Sequence, residues 1–248
     1  MIKITDLDPK SPVAESFRTI RTNLSFANID KELKTILFTS SQQNEGKSTI
    51  TSNIAYSFSK LENKKVLIMD LDLRNPSIHR IFERSNTYGI MDILKDNKEL
   101  DKCIHKIDAN LHILPVGTIP PNPTEVLSSK KMREFLTNIK EEYDFVFIDA
   151  PPAGVVSDAV IISAYVDGVM FVIGANETDI SYAEIAIDNL RKAEANILGS
   201  VLNKFEANDS PYGYYSYYGY YYGEQSGQGR MAKKAKKSGF MKKLSFGR

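Results

Sequence analysis

One nine-residue stretch carries the residue types that bind the phosphates of a nucleotide. It reads Ser41-Gln42-Gln43-Asn44-Glu45-Gly46-Lys47-Ser48-Thr49. The stretch is close to the pattern G-x-x-x-x-G-K-S/T, in which backbone N–H groups surround phosphate oxygens. Gly46 permits the tight turn, Lys47 can reach the β- and γ-phosphates, and Ser48 offers a hydroxyl to Mg²⁺. The first glycine of the pattern is replaced by Ser41, which lowers the specificity of the motif taken alone.

Three carboxylates follow two apolar runs elsewhere in the chain. Asp149 comes directly after the run at 145–148, and Asp70 and Asp72 come after the run at 66–69. Because residues i and i+2 of a strand point the same way, we expect Asp70 and Asp72 to face one site. Each Asp alone could be a strand-end or turn residue. Three of them beside a phosphate loop favour a site for metal binding and proton transfer.

Short apolar runs and longer helical patterns alternate along the chain and would position these residues. Strands are predicted at 35–39, 66–69, 111–116, 145–148, 169–173 and 197–202. Helices are predicted at 11–26, 48–61, 129–141, 155–165 and 180–195. This alternation predicts an α/β fold, a P-loop NTPase-like, mainly parallel sheet with helices on both faces. Ligands in such sheets bind beyond the carboxyl ends of the strands.

The composition is that of a soluble globular protein with room for one large domain. The chain has 248 residues, of which 42% are hydrophobic and 25% charged. Its single Cys excludes an intramolecular disulfide, and no apolar run approaches the ~18 residues of a membrane span. The N-terminus has no signal-peptide pattern, so a cytoplasmic location is expected.

The charge is distributed unevenly. Residues 226–248 contain eight Lys/Arg and no Asp/Glu, whereas the rest of the chain has 24 basic and 31 acidic side chains, a formal charge of −7. An acidic body argues against nucleic-acid binding, which needs a basic patch on the folded part. We predict a P-loop domain at 1–205 that includes an N-terminal helix at 11–27, a disordered tyrosine cluster at 206–225 and a disordered basic tail at 226–248.

Eight of the thirteen tyrosines lie within eleven residues near the C-terminus. They are Tyr212, Tyr214, Tyr215, Tyr217, Tyr218, Tyr220, Tyr221 and Tyr222. The segment has neither the aliphatic neighbours nor the periodicity of a buried core. It is therefore either a self-associating low-complexity segment or, beside a nucleotide site, a tethered set of phosphate acceptors.

At these positions the chain resembles the bacterial tyrosine kinases of capsular and exopolysaccharide synthesis. The resemblance covers about residues 11–222 and rests on the stretches 45–49, 66–74, 120–125, 145–152 and 201–204. It implies an ATP- and Mg²⁺-dependent protein-tyrosine kinase that autophosphorylates its C-terminal tyrosines in trans. The implied partners are a membrane activator of the polysaccharide co-polymerase type, which would hold this cytoplasmic chain at the membrane, and a protein-tyrosine phosphatase.

The residues and the resemblance together predict a role for each member of the site. Lys47 neutralises charge on the β- and γ-phosphate oxygens, while Ser48 and, through water, Asp149 hold Mg²⁺. Asp70 accepts or orients the tyrosine proton and lies in the metal site, with Asp72 as a second metal or alignment group. The predicted nucleotide-binding residues are Ser41, Gln42, Gln43, Asn44, Glu45, Gly46, Lys47, Ser48, Thr49 and, by resemblance, Asn203.

The first predicted helix carries an E-x-x-R-x-x-R pattern. Its members are Glu15, Arg18 and Arg21, which steps of three place along one helical face. Physical chemistry alone favours a solvated face with a Glu15–Arg18 pair. The resemblance implies instead that the motif builds the subunit contacts of a ring, which lets the tail of one subunit enter the site of the next.

Two other classes of protein share the expected fold. A non-kinase ATPase switch of the partition or septum-placement type carries a further Lys in its phosphate loop, where this chain has Gln42. Such a switch also has no use for eight clustered tyrosines. A regulatory scaffold with a decayed nucleotide site is disfavoured because Lys47 and all three carboxylates are present.

Overall fold

The computed structural model describes residue 8 and residues 10–27 and 32–205. The tyrosine cluster, the basic tail and the disorder predicted for both lie outside the described residues. Within residues 10–27 and 32–205, every helix is too short or too polar to cross a membrane.

Strands and helices alternate along the described chain. The strands are β1 Thr35–Ser40, β2 Val66–Asp70, β3 His105–Lys106, β4 Leu111–Leu114, β5 Phe145–Asp149, β6 Gly168–Gly174 and β7 Ile197–Asn203. The helices are α1 Pro12–Ala27, α2 Lys47–Ser59, α3 Ile78–Ile81, α4 Ile90–Asp96, α5 Pro123–Ser128, α6 Lys130–Glu142, α7 Asp158–Ser163 and α8 Ile180–Lys192. A 3₁₀ turn spans Leu100–Lys102.

The strands form one seven-stranded sheet in the order β3-β4-β2-β5-β1-β6-β7. Every neighbouring pair is parallel except the short edge strand β3, which runs antiparallel to β4. The carboxyl ends of β1, β2 and β5 therefore meet at one edge of the sheet. The predicted α/β fold with a mainly parallel sheet is confirmed.

The sheet is covered on both faces because alternate strand residues enter two apolar layers. One face packs against α6 through Leu67, Met69, Val146 and Ile148, with Met132, Leu136 and Ile139 from the helix. The other face packs against α1 and α2 through Ile36, Phe38, Ile68 and Phe147, with Phe17, Ile54 and Phe58 from the helices. Burial on both faces explains why these strands read as continuous apolar runs.

The starts of α1 and α7 compare differently with the sequence prediction. In α1, Pro12 occupies the first turn and the Ser11 hydroxyl accepts a hydrogen bond from Ala14 N–H at 3.2 Å. In α7 the structure differs from the prediction, since the helix covers Asp158–Ser163 rather than 155–165. The residues before it turn after Pro152, whose carbonyl accepts from the N–H groups of both Val155 and Val156.

Candidate active site

The phosphate loop connects β1 to α2 and turns sharply at Gly46. Gly46 has a φ of 94°, in the left-handed region, and precedes the first residue of α2. A Cβ at this position would lie 2.0 Å from Nδ2 of Asn203, so only glycine fits. The turn places Lys47 and Ser48 in the first turn of α2, where free backbone N–H groups favour an anion.

The side chain of Glu45 holds the loop together from behind. It is buried, and its carboxylate accepts hydrogen bonds from the Ser41 hydroxyl at 2.8 Å, from the Gln42 N–H at 2.7 Å and from the Thr178 hydroxyl. Burial alone would raise the pKa of Glu45, but these hydrogen bonds outweigh it and lower the pKa. The serine that replaces the first glycine of the motif is thus used to anchor the loop.

Asn203 joins the last strand to the same loop. Its Nδ2 donates to the Glu45 carbonyl at 2.9 Å, on the backbone next to Gly46. This contact supports the loop directly, while the nucleotide contact that resemblance implies for Asn203 stays a prediction.

Asp149 and Ser48 form the centre of the site at the end of β5. The Ser48 hydroxyl donates to Asp149 Oδ2 at 2.5 Å, although the two residues are 101 positions apart. Asp149 is completely buried, and burial raises its pKa to about 6, although the charge of Lys47 opposes the rise. Its second oxygen, Oδ1, is buried without a hydrogen-bond partner in the described structure.

A buried carboxylate oxygen without a donor is suited to a cation. Within the described residues, no cluster of three or more His, Cys, Asp or Glu could hold a metal by itself. Mg²⁺ characteristically takes one or two protein ligands and completes its shell with waters and substrate phosphates. The Ser48 hydroxyl and the Asp149 carboxylate therefore fit Mg²⁺ bound together with a nucleotide.

Asp70 lies beside Asp149, because the two residues are in register across β2 and β5. It is completely buried, and burial together with the charge of Asp149 raises its pKa well above the ordinary value. Its Oδ2 accepts from the N–H groups of Ser77 at 2.8 Å and Ile78 at 2.9 Å, and Oδ1 accepts from the N–H of Asp72 at 3.2 Å. Asp70 thus holds the loop that follows β2.

A cavity of about 310 Å³ opens between three segments at this edge of the sheet. The phosphate-loop side is lined by Gln43, Asn44, Gly46, Lys47, Ser48 and Thr49. The loop after β2 contributes Asp72, Arg74, Asn75 and Ser77, and α3 contributes Arg80. The segment after β5 contributes Pro151, Pro152, Val155 and Val156. Ligands of parallel α/β sheets bind at such an edge.

The two carboxylates after β2 do not face the cavity together. Since β2 ends at Asp70, the strand alternation does not extend to Asp72. Asp72 lines the cavity, whereas Asp70 and Asp149 are both completely buried and do not line it. Burial raises the pKa of Asp72, while the N–H of Asn75 and the charge of Lys47 oppose the rise.

Sequence reasoning missed one polar network at the edge of the cavity. Arg74 donates to the buried carboxylate of Asp158 on α7, and Thr124 on α5 bonds to both residues. The stretch 120–125 was part of the resemblance, but no sequence signal pairs Thr124 with residues 34 and 50 positions away.

The E-x-x-R-x-x-R residues lie together on α1, as the spacing predicts. Glu15 and Arg18 form an ion pair one turn apart. Arg21 donates to the Ser57 carbonyl at 2.8 Å, so it also ties α1 to the end of α2. The role of the motif in subunit contacts stays a prediction.

Comparison with known proteins gives a consistent family. The family described as AAA domain matches residues 33–192. The chain is 39% identical over 210 residues to "Tyrosine-protein kinase YwqD" of Bacillus subtilis (strain 168), covering 84% of this chain and 88% of that protein. It is 36% identical over 210 residues to "Putative tyrosine-protein kinase CapB" of Staphylococcus aureus, covering 84% and 92%.

Among solved structures, this chain is more similar to a tyrosine-kinase domain than to a partition-type ATPase. The kinase domain of Escherichia coli tyrosine kinase ETK superposes with a TM-score of 0.78 at 29% identity, over 86% of this chain and 84% of that one. A ParA family ATPase from Chlorobium tepidum TLS reaches 0.59 at 17% identity, over 68% and 73%. The second likeness shows a shared fold alone. From the family match and from relatives above 30% identity along most of both chains, the chain belongs to the AAA-domain family and, within it, to the bacterial tyrosine kinases.

Proposed function

We propose that the cavity is where this tyrosine kinase transfers the γ-phosphoryl group of ATP to the clustered tyrosines of its own sequence, in trans. The observation that carries the proposal is the hydrogen bond between Ser48 and the buried Asp149, whose Oδ1 has no partner among the described residues, next to Lys47 at the start of α2. This arrangement binds the charged end of a nucleotide, and the tyrosine-kinase relatives indicate the acceptor chemistry.

The chain's own residues have distinct tasks in this proposal. The N–H groups at the start of α2 bind phosphate, and the ammonium of Lys47 offsets charge on the β- and γ-oxygens. Ser48 and Asp149 would hold Mg²⁺, which supplies positive charge to the phosphates when bound. Asp72 lies in the cavity, so it is better placed to orient the phenol than Asp70, the residue that the sequence indicated.

The transfer itself needs little from the protein beyond positioning. The phenol oxygen bonds to the γ-phosphorus as the bond to the β–γ bridging oxygen breaks, and ADP leaves with that electron pair. The phenol proton passes to a carboxylate. Because a free phenol has a pKa of ~10, a neighbouring carboxylate that accepts its proton assists transfer at neutral pH.

The biological setting follows from the relatives. They include putative tyrosine kinases from a cps region of Klebsiella pneumoniae and, under the name EpsB, from Ralstonia solanacearum. The protein serves capsular or exopolysaccharide synthesis. We infer a ring built through Glu15, Arg18 and Arg21, a membrane activator of the co-polymerase type that holds this chain at the membrane, and a phosphatase that reverses the modification.

The test is to map phosphotyrosine by mass spectrometry in purified protein incubated with Mg-ATP, with and without the activator's cytoplasmic segment. We expect modification at residues 212–222, increased by the activator segment. ATP hydrolysis without any phosphotyrosine under both conditions would favour a non-kinase ATPase switch.

A further inference from the structure

The network of Arg74, Asp158 and Thr124 links three separate elements at the edge of the cavity. Arg74 Nε donates to Asp158 Oδ2 at 2.7 Å, and Nη2 donates to Asp158 Oδ1 at 3.2 Å. The Thr124 hydroxyl donates to the same Oδ1 at 2.8 Å and accepts from Nη2 at 3.1 Å. The guanidinium is therefore fixed in its plane by a two-point contact with the carboxylate and a third contact with the hydroxyl.

The two charged side chains of the network differ in exposure. The Asp158 side chain is completely buried, whereas 43% of the Arg74 side chain is exposed. An ion pair with one partly exposed partner contributes little net stability, so stability alone does not explain this pair. What the buried carboxylate does provide is a rigid anchor for a guanidinium that extends from it toward the cavity.

One nitrogen of the guanidinium remains for a ligand. In the described part of the chain, Arg74 Nη1 donates to no protein group, and Arg74 lines the cavity with Asp72 and Lys47. The phosphate loop at the start of α2 is suited to bind phosphates, and Arg74 lines the same cavity as Lys47 and Ser48.

Resting on the proposed function, we propose that Arg74 contacts the phosphoryl group during its transfer, and that Thr124 and Asp158 are positioning residues that hold it there. As the bond to the bridging oxygen of ADP breaks and the bond to the phenol oxygen forms, negative charge spreads over the oxygens of the phosphoryl group that is being transferred. A fixed donor aimed at that charge stabilises the transition state more than it stabilises bound ATP. This also gives a role to the stretch 120–125, which the site had left unexplained.

The test uses the hydroxyl of Thr124, because its removal is mild enough to keep the fold. Thr124→Val should lower the maximal phosphorylation rate roughly tenfold with little change in the Kd of Mg-ATP. Thr124→Ser keeps the hydroxyl and should restore the rate. Ser128→Ala removes an exposed hydroxyl from the same helix but outside the Arg74 network, and it serves as the control.

A double-mutant cycle separates positioning from structure. Arg74→Ala should lower the rate on the order of a hundredfold. In that background Thr124→Val should have almost no further effect, because nothing remains to be positioned. An equal loss in both backgrounds, or a wild-type rate for Arg74→Ala, would overturn the proposal.

A binding experiment keeps this result distinct from failure of the proposed function. ADP with aluminium fluoride and Mg²⁺ mimics the phosphoryl group in flight. Arg74→Ala and Thr124→Val should weaken this complex while leaving ADP binding unchanged, whether or not the wild type forms phosphotyrosine. Equal weakening of ADP and of the complex would mean that Arg74 is only a ground-state contact, and the inference would be wrong.

Discussion

Three carboxylates and one ammonium meet where three apolar strands end, and their burial sets the chemistry of the site. The carboxyl groups of Asp70 and Asp149 lie side by side and are completely buried, so ionising either of them costs free energy. The Lys47 ammonium already offsets part of this cost at Asp149, and a cation bound with the nucleotide would offset more. Stability of the empty protein is thus sacrificed for phosphate binding.

The first prediction concerns Lys47. Lys47→Met should reduce tyrosine phosphorylation by roughly 10²–10³-fold, because a charge that stabilises the transition state is lost. Phosphotyrosine detection at fixed Mg-ATP measures it. Lys47→Arg is the matched control. It keeps the positive charge that opposes the pKa rise of Asp149, so this variant should melt like the wild type. Its phosphorylation rate should still be low, because a planar guanidinium does not replace the compact ammonium group. A wild-type phosphorylation rate in folded Lys47→Met protein would show that Lys47 has no role in phosphoryl transfer.

The second prediction is a pH dependence of stability at Asp149. Its folded pKa is raised from 3.8 to about 6, so between these pH values the folded protein binds the proton more readily than the unfolded chain. Stability is therefore lost as pH rises through that window. Asp149→Asn cannot ionise, so without nucleotide it should melt roughly 5 °C above the wild type at pH 7.5, with a smaller difference at pH 4.5.

Asp144 at the opposite end of β5 provides a control of opposite sign. Burial would raise its pKa, but the Lys65 N–H and the Lys64 ammonium bond to it and lower the pKa. Asp144→Asn should therefore melt below the wild type at both pH values. Equal melting shifts for Asp149→Asn at pH 4.5 and 7.5 would contradict the role of ionisation.

How far residues could be assigned from sequence depended on the separation of their partners. Lys47, Ser48 and Asp149 were predictable because strand ends gather at one edge of a parallel sheet. The partner of Arg74 was not predictable, since Asp158 is 84 positions away and reads as an ordinary helix-start residue. Asp70 and Asp72 were expected to face one site because the strand alternation was assumed to continue to Asp72, whereas β2 ends at Asp70.

At the scale of elements, long periodic segments were predictable and short ones were not. All six predicted strands and all five predicted helices are present, with ends shifted by one to three residues in most cases. The elements that were missed, α3, α4, α5 and β3, have two to seven residues. Such pieces carry too few residues for a period and form because tertiary contacts hold them, as Asp70 does at the start of α3.

The third prediction concerns α1 and the ring. Exchanging the charges in Glu15→Arg with Arg18→Glu keeps an ion pair within the helix but inverts the charges that a neighbouring subunit would meet. If the motif builds subunit contacts, light scattering should show smaller species and autophosphorylation should slow several-fold. Arg21 is left unchanged because it also ties α1 to Ser57 of α2.

The outcome is decided by mass together with melting temperature. An unchanged oligomer mass with unchanged melting would return Glu15 and Arg18 to a solvated surface pair worth a few tenths of a kcal/mol. The single variant Glu15→Arg is measured beside it. This variant breaks the Glu15–Arg18 ion pair and reverses only one charge, so it shows the effect of losing the pair within the helix.

At the scale of the whole molecule, the tyrosine cluster follows the last strand after a short stretch of sequence. The last strand ends at Asn203, which touches the phosphate loop, and the first clustered tyrosine, Tyr212, follows nine residues later. Nine residues span at most ~30 Å when fully extended. Chain length therefore permits transfer within one molecule as well as between molecules, so transfer in trans must be tested by separating enzyme from acceptor.

The fourth prediction makes that separation with two variants. Lys47→Met retains all eight tyrosines but lacks transfer, and a variant with residues 212, 214, 215, 217, 218, 220, 221 and 222 changed to Phe retains the site but lacks the acceptors. Each alone should take up little phosphate from Mg-ATP. Mixed, they should label the Lys47→Met chain at a rate that rises with the concentration of the Phe variant, because the encounter is intermolecular. Intact-mass spectrometry identifies the labelled chain, and a mixture that stays unlabelled while wild-type protein labels itself would show that each subunit modifies only its own tyrosines.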